Sequence, residues 1–231
     1  MNGISARLAA ASGAFSVVAL IVGNQLALSG APEGTDGASA LGYLQREPTL
    51  VSSTGMVLEI VGFAALLVFL GYLYRVLRRA EGPDGWLAAV AFTAGLGSVA
   101  VKVGSIAPIV AGTYRKDELT IDIARTLVDL NGAAFIVFGL LYGLFIAAAS
   151  AACLAHRVTS RWLGCAGVVV GILAFVAGLA GILTPDSYNP LAFVGDLVWT
   201  LVLSTMLTLR GARDPGRSQR SAARADVAGI V

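Results

Sequence analysis

Two carboxylates stand inside long apolar runs. Glu59 interrupts Val57-Leu58-Glu59-Ile60-Val61-Gly62-Phe63, and Asp196 follows Phe193-Val194-Gly195 in the last apolar run of the chain. An ionisable group in hydrocarbon is costly, so it is rare there and has a partner or a task. A carboxylic acid held in a dry pocket beside a second carboxylate is an arrangement used for acid catalysis or proton relay. One cation, Lys102, lies in a third apolar run, and Asn24, Gln25, Asp129 and Asn131 lie near the ends of two more.

Aromatic residues accompany these groups at helical spacing. Phe63 is i+4 from Glu59, Phe193 and Trp199 are i−3 and i+3 from Asp196, and Phe135 is i+4 from Asn131, so each shares a helix face with its polar neighbour. Aromatic faces stabilise cations by roughly 0.5–2 kcal/mol per contact. An acid in an aromatic-lined apolar pocket suits a carbocation reaction on a lipophilic substrate. Aromatic residues also collect at membrane interfaces for reasons unrelated to chemistry. The same polar set fits an internal ion-pair network as well. Glu59 or Asp196 then pairs with Lys102, Asp129 pairs with Arg125 one turn away, and one carboxylate is left without a basic partner.

The elements that must position these residues are membrane spans. Of the 231 residues, 57% are hydrophobic and 13% charged, against about 25% charged in a soluble domain. Six apolar runs cover residues 8–28, 53–74, 86–112, 127–154, 162–183 and 191–209. Each is long enough to cross a core of about 30 Å as a helix, and none alternates as a barrel strand does. The first run is too long for the core of a cleavable signal and reads as a span. The expected fold is an all-α, polytopic membrane bundle of six transmembrane helices over residues 1–210. A basic, disordered tail is expected over residues 211–231.

Basic residues set the orientation. Arg7, Arg75, Arg78, Arg79, Arg157, Arg161 and the arginines after residue 209 fall on one side, while the other side mixes basic with acidic residues. The positive-inside rule then puts both termini in the cytoplasm of a multi-pass cell-membrane protein. In that frame Glu59 is about 9 Å below the outer end of its span and Lys102 about 15 Å below its own, at 1.5 Å per residue. Asn24, Asp129, Asn131 and Asp196 fall in the same outer half. A common depth predicts one shared polar pocket.

Between the first two spans, residues 36–47 read either as a short interfacial helix, capped by Asp36, stopped by Pro48 and resting on Leu41 and Leu44, or as an ordinary connection. Residues 117–125 read as the solvated start of the fourth helix. Gly167 with Gly171, and Gly139 with Gly143, allow close helix approach, within the chain rather than between copies. Pro108 offers one candidate helix break. Cys153 and Cys165 lie near the cytoplasmic side, where a structural disulfide is not expected, and His156 reads as a loop residue. The sequence contains no phosphate-binding loop, dinucleotide fingerprint, His pair or Ser/His/Asp set. We therefore expect no cofactor, no metal and no nucleic-acid partner. A mid-span lysine can hold retinal, but nothing besides Lys102 points that way.

Two resemblances follow. The layout of nearly the whole chain resembles small multispan membrane proteins of actinobacterial type with a DUF4386-like arrangement, which implies no activity. Glu59 early in the second span and Asp196 early in the last resemble the acid pair of the small integral-membrane terpene cyclases of meroterpenoid and indole-sesquiterpenoid pathways. That likeness implies acid-initiated cyclisation of a prenylated small molecule, with Glu59 and Asp196 as catalytic acids and Phe63, Phe193 and Trp199 as a cage. Asn24, Asn131, Asp129 and Lys102 would complete the substrate site. The chain departs from that family in having six spans where seven are usual. The alternative is a non-enzymatic six-span protein that binds or transports a lipophilic or proton-coupled ligand. A third possibility is that the charges only staple the bundle.

Overall fold

A computed structural model describes residues 3–29, 36–83, 85–184 and 191–213. The described residues are helical apart from short connections, with no strand among them. Helix α1 covers Gly3–Ala27, α2 Gly37–Gln45, α3 Leu50–Glu81, α4 Leu87–Gly104, α5 Ile106–Tyr114, α6 Ile121–Ala155, α7 Arg161–Leu183 and α8 Leu191–Arg213. Six stretches are long and apolar enough to cross a membrane, with α4 and α5 together forming the third.

Most helices outrun the apolar segments because polar caps lie outside them. Thr49, Thr120 and Ser160 accept from the backbone N–H three residues on and so start α3, α6 and α7, which satisfies amides that otherwise lack partners. Helix α6 ends in a Schellman turn. Val158 N–H reaches back to Cys153 O and Arg157 N–H to Leu154 O, with Arg157 at φ 54° in the left-handed region. The third span is interrupted at Ser105. Pro108 has no N–H for the Gly104 carbonyl four residues before it, and its ring crowds that carbonyl.

The six spans form a closed ring in chain order. α1 packs on α3, α3 on α4, α4 on α6, α6 on α7, α7 on α8, and α8 returns to α1. Four of the five connections between spans are short, and the longer first one, residues 28–49, carries α2, so sequence neighbours become spatial neighbours. The centre is filled by Leu66 and Phe69 from α3, Tyr142 and Phe145 from α6 and Leu203 from α8, all fully buried. Outward faces are also apolar: Val18, Val68, Leu173 and Val198 are each more than half exposed. Exposed apolar surface on every flank is the pattern of a helix bundle dissolved in lipid.

Two crossings bring backbones together. A Cβ on Gly171 of α7 would lie 2.4 Å from Ala147 N and one on Gly143 of α6 2.6 Å from Phe175 N, so these small residues serve packing within the chain. The α1–α3 crossing, not singled out in the sequence, is as tight. A Cβ on Gly55 would lie 2.2 Å from Ala27 N, and one on Gly23 would lie 2.7 Å from Glu59 N. The seam between α8 and α1 is polar. Ser204 Oγ donates to Ala10 O at 2.6 Å and accepts from Ala14 N–H at 2.7 Å.

The short helix expected between the first two spans is present. Asp36 caps α2 through Ser39 N–H at 2.8 Å; Leu44 is buried and Leu41 partly so. The segment 117–125 differs from expectation: a 3-10 turn at Lys116–Glu118 precedes α6, whose first residue is Ile121. At the far end α8 runs to Arg213, so the helix passes the expected boundary at 210. The rest of the tail lies outside the described residues. His156 caps the C-terminus of α6, and Cys153 and Cys165 are free thiols, one buried and one exposed.

Candidate functional site

Glu59 is held in place by backbone, because the Gly23–Gly55 crossing leaves no room between α1 and α3 at its own turn. Lys102 is placed by the break in the third span. One turn past it, the Ser105 hydroxyl lies 2.7 Å from Lys102 O and 2.9 Å from Asn131 Oδ1, and can donate to either. Lys102 Nζ donates to the same Asn131 oxygen at 3.2 Å and sits 5.8 Å from the centre of the Phe135 ring, within cation–π range. The amide of Asn131 therefore ties α4 to α6 beside the break.

These groups surround a cavity of about 240 Å³. Its polar wall comes from Asn24 of α1, Glu59 of α3, Lys102 of α4 and Asp129 and Asn131 of α6, and its apolar wall includes Leu28, Met56, Ile60, Ile106 and Ile109. Helix α2 contributes Ala40 and Tyr43, with Asp36 at its start. It is seated on α6 through Ala40, Leu44 and Ala124, and clipped at its end by Gln45 donating to Lys116 O at 3.1 Å and by the Lys116–Glu47 ion pair.

Electrostatics differ around the cavity. The backbone N–H of Ser39, and then its hydroxyl, hold the Asp36 carboxyl below the usual aspartate range. Burial, and then the negative charge of Glu59, push the Tyr43 phenol up. Arg125 and Asp129 form a 3.7 Å ion pair at the rim; both are mostly exposed, so the pair adds little stability. Glu59 and Lys102 feel each other's charge, yet they are not in ion-pair contact.

Asp196 is elsewhere. It is fully buried, and among the described residues neither carboxyl oxygen has a hydrogen-bond partner. Its charge reaches Tyr142, whose phenol hydrogen-bonds Thr200 Oγ1 at 2.9 Å. Beside Tyr142 lies an aromatic cluster. Phe138 meets Phe63 at 6.2 Å and Phe193 at 5.4 Å, and Phe193 meets Phe135 at 5.3 Å. Trp199 lies edge-on to Phe145 at 6.2 Å and donates to Leu163 O at 3.3 Å.

Of the residues singled out in the sequence, Glu59, Lys102, Asn24, Asp129 and Asn131 thus meet around one cavity. Asp196, Phe63, Phe193 and Trp199 do not line it. Phe135 joins the two regions, touching the Lys102 cation on one side and Phe193 on the other. Two participants were missed. Tyr43 carried a signal, lying one residue before Leu44 on a capped helix. Ser105 carried one too, midway between Lys102 and Pro108.

By fold and site the chain is a six-helix bundle of membrane-spanning type with a polar cavity at one end. No family model, curated protein or solved structure matches it.

Proposed function

We propose that the chain is a multi-pass cell-membrane protein, with both termini in the cytoplasm, that binds a lipophilic small molecule by its polar head in the cavity under α2. What supports this is one observation: polar groups from four spans and the capped α2 helix converge on a cavity whose remaining wall is apolar. A cavity of about 240 Å³ is below the usual range for whole ligands, about 300–1,000 Å³. It suits a head group with its tail along the bundle. Native mass spectrometry of protein released from its membrane tests this. We expect a bound amphiphile in wild type that is lost when Glu59→Gln and Lys102→Met are combined. Equal retention in a folded double variant removes the cavity from consideration. For orientation, an impermeant thiol reagent applied to intact cells should label a cysteine at Lys116 and spare one at Arg79.

Asp196 favours a second reading, acid-initiated cyclisation of a prenylated small molecule. Among the described residues its buried carboxyl has no hydrogen-bond partner, and it lies near Tyr142 and Phe193. An acid there would add its proton to an alkene carbon, the resulting cation would close a ring, and loss of a proton would return the acid and leave an isomer. Cells fed prenylated indoles or phenols should then contain a product of unchanged mass and new retention that disappears in Asp196→Asn. Absence of that isomer from wild-type cells excludes this reading.

A further inference from the structure

Five charged residues line the cavity: Asp36, Glu59, Lys102, Arg125 and Asp129. Three are already engaged. Asp36 accepts the amide that starts α2, and Arg125 and Asp129 hold each other at the rim. The remaining two have opposite sign, sense each other electrostatically and do not touch.

Their separation is built in. The backbone of Glu59 is pinned by the glycine crossing of α1 and α3. Lys102 is drawn the other way by Asn131 Oδ1 and the Phe135 ring. Because the Lys102 ammonium can only donate, the Asn131 oxygen must face it, and the two N–H bonds of the amide are turned elsewhere. An ammonium has three donors, and Asn131 takes one. The α4–α6 side of the cavity thus retains cationic donors, and the α1–α3 side retains carboxylate acceptors. Among the described residues no hydrogen bond to the Glu59 carboxylate is found.

We propose that the head group is an amine-bearing zwitterion, with its ammonium against Glu59 and its phosphate or carboxylate against Lys102 and Asn131. This rests on the cavity reading above and deepens it. Such a ligand completes both half-satisfied groups at once. A purely anionic or cationic head would leave one of these half-buried charges unanswered, which costs more than an unmade neutral contact. The chemistry is shared by aminophospholipid heads and by free zwitterions such as amino acids.

The test compares heads on one tail. Wild-type protein in maltoside micelles is titrated with lauroyl lysophosphatidylethanolamine, lauroyl lysophosphatidylglycerol, dodecylamine and monolauroylglycerol, and separately with glycerophosphoethanolamine and alanine. We expect the zwitterionic lipid to bind at least tenfold more tightly than the other three lipid probes. Binding of glycerophosphoethanolamine or alanine at comparable affinity would assign the site to a soluble ligand of the same chemistry. In Glu59→Gln the preference for the amine should vanish, and in Lys102→Met the cationic probe should overtake the anionic one. Equal affinity of wild type for the zwitterion and the neutral lipid overturns the zwitterion and leaves the cavity reading standing. No binding of any probe overturns both. The wild-type comparison decides even if a variant fails to fold.

Discussion

A carboxyl with no partner in the middle of a bundle is a cost carried by one residue. Leaving a buried polar group unsatisfied costs roughly 1–3 kcal/mol, and among the described residues Asp196 has both oxygens in that state. Asp196→Leu keeps the branched shape of the side chain, with methyls larger than the oxygens they replace, and removes the polar group. It should raise stability by about 1–3 kcal/mol, read as a higher melting temperature in detergent. A lower one would show that the carboxyl has a partner. This is the pattern expected of a residue kept for use rather than for folding. The sequence made Glu59, Lys102 and Asn131 legible as a layer, because depth along a span follows from residue count. It did not reveal that Asp196 turns from their cavity. Rotation about a helix axis is written in the contrast between faces, and α8 has apolar residues on both its inward and outward sides. The Lys102–Asn131 contact was hidden for the same reason. Charge alone pointed Lys102 toward an acid, whereas geometry gives it an amide and a ring.

At the level of the helix, glycines decide how close neighbours come. Gly55→Ala drives a methyl toward the Ala27 backbone, only 2.2 Å away. Backbone cannot swing aside as a side chain does, so the crossing must open, at about 1–3 kcal/mol, and Glu59 moves with it. Gly71, in the same helix, has nothing within 4 Å of its would-be Cβ. Gly71→Ala should stabilise by roughly 1 kcal/mol through helix propensity alone. Opposite shifts of melting temperature for these two variants would confirm the close contact as the cause. The short helix α2 adds a pH dependence. Its capping carboxyl is held below the ordinary aspartate value, so its contribution is fully present above that value and is lost as pH falls through the lowered one. A spin label at position 42, where there is open space, should gain mobility in acid. In Asp36→Asn, which keeps a capping oxygen but cannot titrate, that gain should be absent. Helix α2 was legible because Asp36 and Pro48 bracket it. The break at Ser105 was legible only as a proline. The 3-10 turn at 116–118 carries no periodicity that distinguishes it from the start of α6.

For the molecule as a whole, the ring order follows from short connections, and the number of spans from hydropathy. What neither supplies is closure, the packing of the last span on the first. It depends on Ser204 meeting the backbone at Ala10 and Ala14 across 190 residues or more. A lone serine in an apolar run gives no hint of a partner at that distance. Ser204→Ala removes both hydrogen bonds and leaves the Ala14 amide without the serine oxygen. We expect a loss of about 1–2 kcal/mol, seen as earlier proteolysis of the α8–α1 seam on heating in detergent.

That seam also sets a schedule for biosynthesis. Of the six spans α1 is synthesised first, and each later span finds its predecessor already made. Only α1 must wait for the final helix before its second flank is covered. Until α8 is released, the six-span ring is an open arc with two uncovered ends. The step that closes the ring is the arrival of α8 against α1, so the flank of the span made earliest is the one covered latest.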